Sequence, residues 1–574
     1  MMLGLIVTVV MSQASPSVVS TRDVRSCVVL DDGSILAASS GGVFRSSAAG
    51  VPGDVELAGQ SSYVVRELDG ELGPEVYAGT EHGLWRVSIE KDQLSVKLVV
   101  ASFAVRDVLK WNGTLYVATW GGGLRTLDGG TATAVPFATV GSSAARMRQT
   151  SLVIHDGRLV VGTAGGGVFE LVAGLLHPLG GASAVDTMVW SLLSTPSGLV
   201  AGTLAGQYLF AAGQWTQRSS DDVRALASGP AHGELAGTFG RGLLAKDMAE
   251  GTMKYVAAVD VRNDTVCVGG PQGLAVHRDG RGWRHVAEQG PPSNDISSMV
   301  HDGEKLWVGT FDSGLAVFDG RWRSVVGVDE RINGLAIEKT ARGPVTWAAT
   351  ARGLVRVEMG RVRRFGRADG LQSTDVHTVT ALRGGGVAAG TSAGLILVKN
   401  GTVQLQNGKH GLYVRGVWSI AEGQGKTLWV GTMRGVFHGS RANRRTGRRR
   451  WTRLSVASGH LPDDWVTALA VDSAGAVWAG TYSGGTSRLT RNDDGKWQAE
   501  QLGGGWVNVA GLTAVGDAMY AATMDGLMRW DPAATRWRTI KRAAPGRDVT
   551  ALVKAPGGLW VSSRRGISRW ATLR

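Results

Sequence analysis

The chain has 574 residues, which is too long for one hydrophobic core and suits two domains of about 280 residues each. Its 84 glycines are about twice the usual share, yet 43% of the residues are hydrophobic, which excludes a disordered chain. Two cysteines exclude a disulfide-rich scaffold, and a formal charge of +13 favours attraction to polyanions in general.

The N-terminus carries a short apolar segment with small residues, Ser12 and Ala14, where a signal peptidase would cut. The apolar run is much shorter than the ~20 residues that span a bilayer. We therefore predict a signal peptide at residues 1–14, a periplasmic or secreted protein, and no membrane span. Because no Lys or Arg precedes the run, a cytoplasmic chain is the alternative.

A short sequence motif recurs about every 40 residues along the whole chain. Its clearest copies are Leu-Trp-Val-Gly-Thr at 306–310 and again at 428–432. This spacing matches one four-stranded propeller blade, at roughly 40–45 residues. The Gly-Thr position marks fourteen copies: Ser39, Thr80, Thr119, Thr163, Thr203, Thr238, Gly270, Thr310, Thr350, Thr391, Thr432, Thr481, Thr523 and Ser563.

The motif predicts a buried β-strand, because it is short, rich in β-branched and aromatic residues, and followed by a glycine turn. Trp307 and Gly309 would share one face, and the glycine would let the neighbouring blade approach closely. An apolar strand precedes each copy and two more follow it, so each repeat has four strands, A to D. The fold class is therefore all-β.

Fourteen blades exceed the usual four to eight of one propeller, so we predict two tandem seven-bladed β-propellers. The predicted first ring spans residues 15–280 and the second spans 281–574. Each last blade would take its D strand from the start of its own ring. Residues 15–21 would then close the first ring, and residues 283–287 would close the second.

Cys27 and Cys267 fall in predicted strands of blades one and seven. Those blades are neighbours in a closed ring, which leaves a disulfide as one alternative. We expect isolated buried thiols instead, because packed strands seldom bring two cysteines within ~6 Å.

Essentially the whole chain resembles a known repeat family, and the resemblance is strongest in the second half. Residues 369–376, 460–466 and 477–481 carry its pattern, in which Gly-Leu-Pro or Gly-Leu-Gln leads into Trp-x-Gly-Thr. The pattern is similar to the two-component regulator propeller repeat. The resemblance implies paired seven-bladed propellers of the kind found in periplasmic sensor ectodomains that respond to carbohydrate fragments. It also implies that any signal would pass through a separate signalling partner, since the sequence holds no kinase or regulator part.

Turns between the B and C strands share one face of a propeller with the D–A turns, and loops on rigid scaffolds commonly bind ligands. Aromatic, Arg and Asp side chains in these turns would suit a saccharide or peptide. The alternative is that they are ordinary turn residues. The ligand-binding candidates are Trp120, Phe239, Arg241, Phe311, Asp312, Arg352, Arg434, Tyr482, Asp525 and Arg564.

Residues near the start of each A strand would point toward the central funnel of a ring. An Arg at such a place more often pairs with a carboxylate than with a ligand. The funnel candidates are Arg106, Arg146, Arg148, Trp190, Arg224, Asn294, Asp295, His377, Arg415, Trp418, Trp465, Trp506 and Asp548.

We predict no catalytic residue, no metal site and no cofactor, because the eleven histidines form no pattern with acids or cysteines. A propeller-fold lyase or hydrolase is the first alternative, with His82 and His377 as the residues to test. The Arg-rich run at 441–453 predicts a solvated insertion and no specific nucleic-acid site.

The favoured function is a non-catalytic module that holds a glycan or protein ligand on a propeller face. The second alternative is an intracellular protein-interaction scaffold.

Overall fold

The computed structural model describes residues 17–71, 73–90, 93–138, 148–181, 185, 188–245, 253–279, 281–406, 412–443, 445–446, 448–541, 543–556 and 558–570. These residues form fourteen antiparallel sheets, twelve of four strands and two of three, each with its strands in chain order. The prediction of an all-β chain with two seven-bladed propellers is confirmed. The predicted signal peptide at 1–14 lies outside the described residues.

Each sheet is one blade, numbered 1 to 14 along the chain, with strands A to D. Blade 1 comprises Val24–Val29, Ile35–Ser39, Gly42–Ser46 and Pro52–Glu56, and blade 2 comprises Ser62–Gly70, Gly73–Thr80, Gly83–Glu90 and Gln93–Ala101. Blade 3 comprises Ala104–Trp111, Thr114–Trp120, Gly123–Asp128 and Thr131–Ala134, and blade 4 comprises Gln149–His155, Arg158–Thr163, Val168–Val172 and Leu175–Pro178. Blade 5 comprises Val189–Thr195, Gly198–Thr203, Gly206–Ala211 and Gln214–Ser219, and blade 6 comprises Val223–Gly229, Gly233–Thr238 and Gly242–Leu244. Blade 7 comprises Ala258–Arg262, Thr265–Gly270, Gly273–Arg278 and Gly282–His285.

Blade 8 comprises Ile296–His301, Leu306–Thr310, Leu315–Phe318 and Trp322–Ser324, and blade 9 comprises Ile332–Thr340, Gly343–Thr350, Gly353–Glu358 and Arg361–Phe365. Blade 10 comprises Val376–Ala381, Val387–Thr391, Gly394–Lys399 and Thr402–Gln406. Blade 11 comprises Val417–Glu422, Leu428–Thr432, Gly435–Gly439 and Trp451–Leu454, and blade 12 comprises Val466–Val471, Val477–Thr481, Thr486–Arg491 and Trp497–Gly503. Blade 13 comprises Val507–Val515, Ala518–Thr523, Gly526–Asp531 and Arg536–Ile540, and blade 14 comprises Val549–Ala555, Gly558–Ser563 and Gly566–Trp570. Two short 3₁₀ helices cover Arg367–Asp369 and Gln424–Lys426.

The recurring Gly-Thr pair lies at the end of the B strand and has two separate roles. A Cβ on Gly309 would lie 2.5 Å from Cγ2 of Ile332 in the next blade, so only glycine allows this approach. The Thr310 hydroxyl donates to the Gly314 carbonyl at 3.0 Å and accepts the Ser313 N–H at 2.9 Å. The glycine therefore sets the spacing between blades, and the threonine stabilises the B–C turn.

The rings close in the opposite way to the prediction. Gly282–His285 is the D strand of blade 7, so it completes the last blade of the first ring and contributes nothing to the second. Val18 instead pairs with Ile567 of blade 14, with N···O distances of 2.8 and 3.0 Å, and closes the second ring. The compact units are accordingly Val19–Gly290, here called the first ring, and Pro291–Arg574 with the segment that ends at Val18, here called the second ring.

The expectation of isolated thiols is wrong, because Cys27 and Cys267 form a disulfide with a Cα–Cα distance of 6.6 Å. The A strand of blade 1 packs against blade 7, which brings the two cysteines into one core cluster. The disulfide thus joins the first and last blades of the first ring. Within the described residues, no helix is long and apolar enough to cross a membrane.

Candidate functional site

A β-bulge recurs at the start of the A strand. In blade 1, Val24 pairs with Ser39 and Ser26 pairs with Ala38, so Arg25 is an extra residue without a partner in the ladder. Twelve of the fourteen A–B pairs show the same one-residue shift. A bulge turns its side chain out of the regular alternation, and bulges are common beside functional sites.

The extra residues, here called the bulge residues, line a cavity in each ring. In the first ring they are Arg25, Tyr63, Arg106, Thr150, Trp190 and Arg224, and all line a cavity of about 620 Å³. In the second ring they are Ser297, Asn333, His377, Trp418, Thr467 and Thr550, and all except Thr467 line a cavity of about 310 Å³. One backbone feature, repeated around each ring, therefore builds both candidate sites.

The first-ring cavity is lined by stacked arginine and aromatic side chains. The Arg106 guanidinium lies 3.7 Å from the ring centroid of Tyr63 and 4.8 Å from that of Trp120. On the other side, the Arg224 guanidinium lies 4.2 Å from the Trp190 ring and 5.1 Å from Phe239. Such contacts hold a cation on a flat apolar surface and leave the edge of the guanidinium available to bind an anion.

The second-ring cavity has a balanced charge. Its lining holds two arginines, Arg331 and Arg564, and two aspartates, Asp375 and Asp548. Arg564 donates from Nε to Asp548 at 2.9 Å and from Nη1 to Asp295 at 3.1 Å, and it stacks 4.3 Å from the Phe311 ring. Burial raises the pKa of Asp295, while Arg564 opposes this shift.

An arc of five rings runs along blades 10 to 13 of the second ring, and we call it the aromatic arc. Successive ring centroids lie 4.1, 6.1, 4.1 and 3.9 Å apart, and two of the four pairs are stacked. Trp506, at one end, is 39% exposed. The arc comprises His377, Trp418, Trp465, Tyr482 and Trp506.

The two histidines proposed for catalysis differ in surroundings. His377 is buried, with Nε2 3.1 Å from the Asp375 carboxylate and Nδ1 3.2 Å from the Val417 carbonyl. His82 is exposed, and its Nε2 lies 3.9 Å from Glu81. In the part of the chain that the structure describes, no three His, Cys, Asp or Glu side chains come together as metal ligands.

Five of the ten ligand-binding candidates lie at these two cavities or beside them. Trp120 lines the first-ring cavity, and Phe239 stacks on Arg224 at its wall. Phe311 and Arg564 line the second-ring cavity, and Tyr482 belongs to the aromatic arc.

The other five candidates are exposed turn residues outside both cavity linings. Arg241 forms an ion pair with Asp221 at 2.9 Å. The backbone N–H groups of Arg352, Arg434 and Asp525 bond to the threonine of their own turn. Asp312 is also exposed. Of the funnel candidates, Arg146 lies outside the described residues.

Sequence reasoning missed several lining residues, among them Tyr63, Asn333 and Asn508. A usable signal was present for two of them, because Asn333 directly follows Ile332 and Asn508 directly follows Val507. Ile332 and Val507 are in turn the residues against which the B-strand glycines of the preceding blades, Gly309 and Gly480, pack.

Residues 460–483 match the family described as two component regulator propeller. PorZ of Porphyromonas gingivalis, a surface component of the type-IX secretion system, is similar in structure with a TM-score of 0.71, 15% identity, and coverage of 97% of this chain and 86% of that one. An ancestral GH74 enzyme has a TM-score of 0.70, 15% identity, and coverage of 98% and 99%. At such identities, the likeness concerns the fold alone.

The extracellular domain of the hybrid two component system BT4673 from B. thetaiotaomicron has 17% identity and coverage of 97% and 82%. Its TM-score of 0.40 is too low to support an argument. No protein with a curated description matches the sequence. The match at 460–483, which includes the A and B strands of blade 12, confirms the resemblance expected from the residues.

Proposed function

We propose that the chain is a non-catalytic, ligand-binding double propeller, and that its second ring binds a neutral oligosaccharide. The aromatic arc is the observation that carries this proposal. Aromatic faces offer flat apolar surface to the C–H face of a sugar ring, and a few oriented polar groups then select its hydroxyls. Trp418 and His377 belong to both the arc and the cavity lining, so the stacking surface continues into the polar cavity.

The charge of the cavity supports a neutral ligand. Arg564 pairs with Asp548 at 2.9 Å, and Asp375 lies 3.1 Å from His377, so both lining carboxylates already have cationic or polar neighbours. Asn508 donates to Asp548 at 2.8 Å. These groups can orient sugar hydroxyls, and the two arginines and two aspartates of the lining leave no net charge in the site.

The Cys27–Cys267 disulfide supports an exported protein, because disulfides persist in oxidising compartments and are rare in the cytosol. We therefore favour a periplasmic or secreted location over the intracellular scaffold. Fractionation of the tagged full-length chain tests this location, and recovery in the cytosol with reduced cysteines would contradict it.

Isothermal titration of the full chain with cello-, xylo-, malto- and galactotetraose tests the binding function. We expect one of these neutral sugars to bind, and Trp506→Ala and Tyr482→Ala to weaken binding at least tenfold. Trp322→Ala removes an indole from the D strand of blade 8, outside the cavity, and should leave affinity within twofold. Absence of binding to all four sugars, or equal affinity in the Trp506 variant, would refute the proposal.

A hydrolase remains the second candidate because of Asp295. Glycosidases use two carboxyl groups, one of which has a raised pKa. Burial raises the pKa of Asp295, and the carboxylates of Asp295 and Asp548 both contact Arg564. Release of reducing ends from the bound sugar, abolished in Asp295→Asn, would establish this alternative in place of simple binding.

A further inference from the structure

Two of the three bulge arginines of the first ring form an ion pair with a nearby aspartate, and the third does not. Arg25 pairs with Asp23 at 2.7 Å, and Arg224 pairs with Asp222 at 2.6 Å. In both cases the carboxylate belongs to the residue two positions earlier in the chain. In blade 3 the same position holds Ala104, so Arg106 lacks the carboxylate that neutralises the other two.

No other carboxylate of the described residues forms an ion pair with Arg106. Asp107 accepts Arg66 at 2.7 Å on both oxygens, and it also accepts the Leu152 N–H. Glu67 pairs with Arg262. Asp260, whose pKa burial raises, accepts the Val29 N–H at 2.8 Å.

Arg106 is held in a costly environment. Its Nε is buried without a hydrogen-bond partner among the described residues, and burial together with nearby Arg25 lowers its pKa. The rings of Tyr63 and Trp120 compensate only in part, because a cation–π contact does not replace the hydrogen bonds that water gives to a guanidinium. A partly desolvated cation without a counter-charge, facing a large cavity, indicates a site for an external anion.

We propose that the first-ring cavity binds an acidic oligosaccharide, whose carboxylate or sulfate group occupies at Arg106 the place that Asp23 and Asp222 occupy at Arg25 and Arg224. A guanidinium binds such oxyanions through two parallel N–H bonds. The cavity volume of about 620 Å³ lies in the range of small-ligand sites, and Tyr63 and Trp190 in its lining supply flat surface for sugar rings. This site is separate from the second-ring site, so each proposal can fail alone.

Titration of the full chain with trigalacturonate, its methyl ester and a sulfated galactan tetrasaccharide tests the site. The first and third probes distinguish a carboxylate from a sulfate ligand. We expect at least one anionic probe to bind at physiological salt, and the methyl ester to bind at least tenfold more weakly than trigalacturonate if the carboxylate is the ligand. Arg106→Gln should weaken the bound probe at least tenfold.

Arg125→Gln is the matched control, since Arg125 stacks 4.1 Å from Phe103 in the same blade but lies outside the cavity lining. Its affinity should stay within twofold of the parent chain. Equal losses in both arginine variants would show that overall charge is responsible, and this would overturn the proposal.

A second pair of variants keeps Arg106 in place. Ala104→Asp introduces the carboxylate found two positions before Arg25 and Arg224, so it should neutralise Arg106 and weaken the anionic probe at least tenfold. Ala104→Asn has nearly the same size without the charge, and its affinity should fall less than threefold. Unchanged affinity in Ala104→Asp, or no binding of either anionic probe to the parent chain, would refute the site.

Discussion

His438 shows how a single side chain in the second ring responds to its surroundings. Its ring lies 4.5 Å from that of Trp429 and 5.0 Å from that of Trp497, and the side chain is buried. Burial, with smaller contributions from Arg491 and Arg449, lowers the pKa of His438 to about 4. The neutral imidazole is therefore part of the packed interface between blades 11 and 12.

We expect this histidine to make the chain less stable in mild acid. The unfolded chain takes up the proton near the ordinary histidine pKa of 6.5, whereas the folded chain does so only at a pKa of about 4. Stability is therefore complete above pH 6.5 and falls as the pH drops toward 4, by about 2 kcal/mol after allowance for solvent screening. Urea unfolding at pH 7 and 4.5 should show a larger loss for the parent chain than for His438→Phe, and equal losses would contradict the assignment.

At the scale of elements, the spacing between blades depends on the glycine of the B strand. A Cβ on Gly390 would lie 2.5 Å from Cγ1 of Val417 and 2.6 Å from the Val417 carbonyl oxygen. One of these atoms belongs to the backbone of the next A strand, so the contact cannot be relieved by a change of rotamer. The same strand carries the bulge residue Trp418, so blade spacing and the binding cavity are coupled.

Gly390→Ala should lower the free energy of unfolding by about 1–3 kcal/mol, the usual cost of overpacking a core. Gly366→Ala serves as the control, since a Cβ there has nothing within 4 Å and should change stability by less than about 0.5 kcal/mol. Denaturant unfolding of both variants measures the difference. A tolerated Gly390→Ala would show that neighbouring blades can move apart freely.

At the scale of the whole molecule, each ring must hold its first and last blades together. The first ring does so with core packing between blades 1 and 7 and the Cys27–Cys267 disulfide. The second ring does so through the pairing of Val18 with Ile567 and the packing of blade 14 on blade 8. The disulfide belongs to the first ring alone, so its removal should affect that ring.

We expect the Cys27→Ala/Cys267→Ala variant to lose about 2–4 kcal/mol of stability, because the crosslink closes a long loop in the unfolded chain. Calorimetry of the full chain should show a lower midpoint for one transition and no change in the other. Reductant should produce the same shift in the parent chain and none in the variant. A parent chain insensitive to reductant would mean that the disulfide does not stabilise the ring.

The sequence by itself determined the repeat and the blade. All fourteen markers of the Gly-Thr position lie at or within one residue of the end of a B strand, since most copies keep a small residue that packs on the next blade and a hydroxyl that stabilises the turn. Four of the ten turn candidates also reach a cavity or its wall, among them Trp120 and Arg564, and Tyr482 belongs to the aromatic arc. Local chemistry of this kind leaves a visible pattern in the chain.

Only the tertiary structure decided ring closure, the disulfide and the composition of each cavity. The segments at Val18 and Gly282–His285 both suit an edge strand, yet Val18 pairs with the distant Ile567, whereas Gly282–His285 pairs with the preceding strand of its own blade. Arg25 and Arg106 occupy the same place in the repeat, yet Asp23 neutralises one and Ala104 leaves the other without that partner. The bulge brings these residues together, and its effect appears only when the blades close around one cavity, because the bulge residues that line it come from five or six different blades.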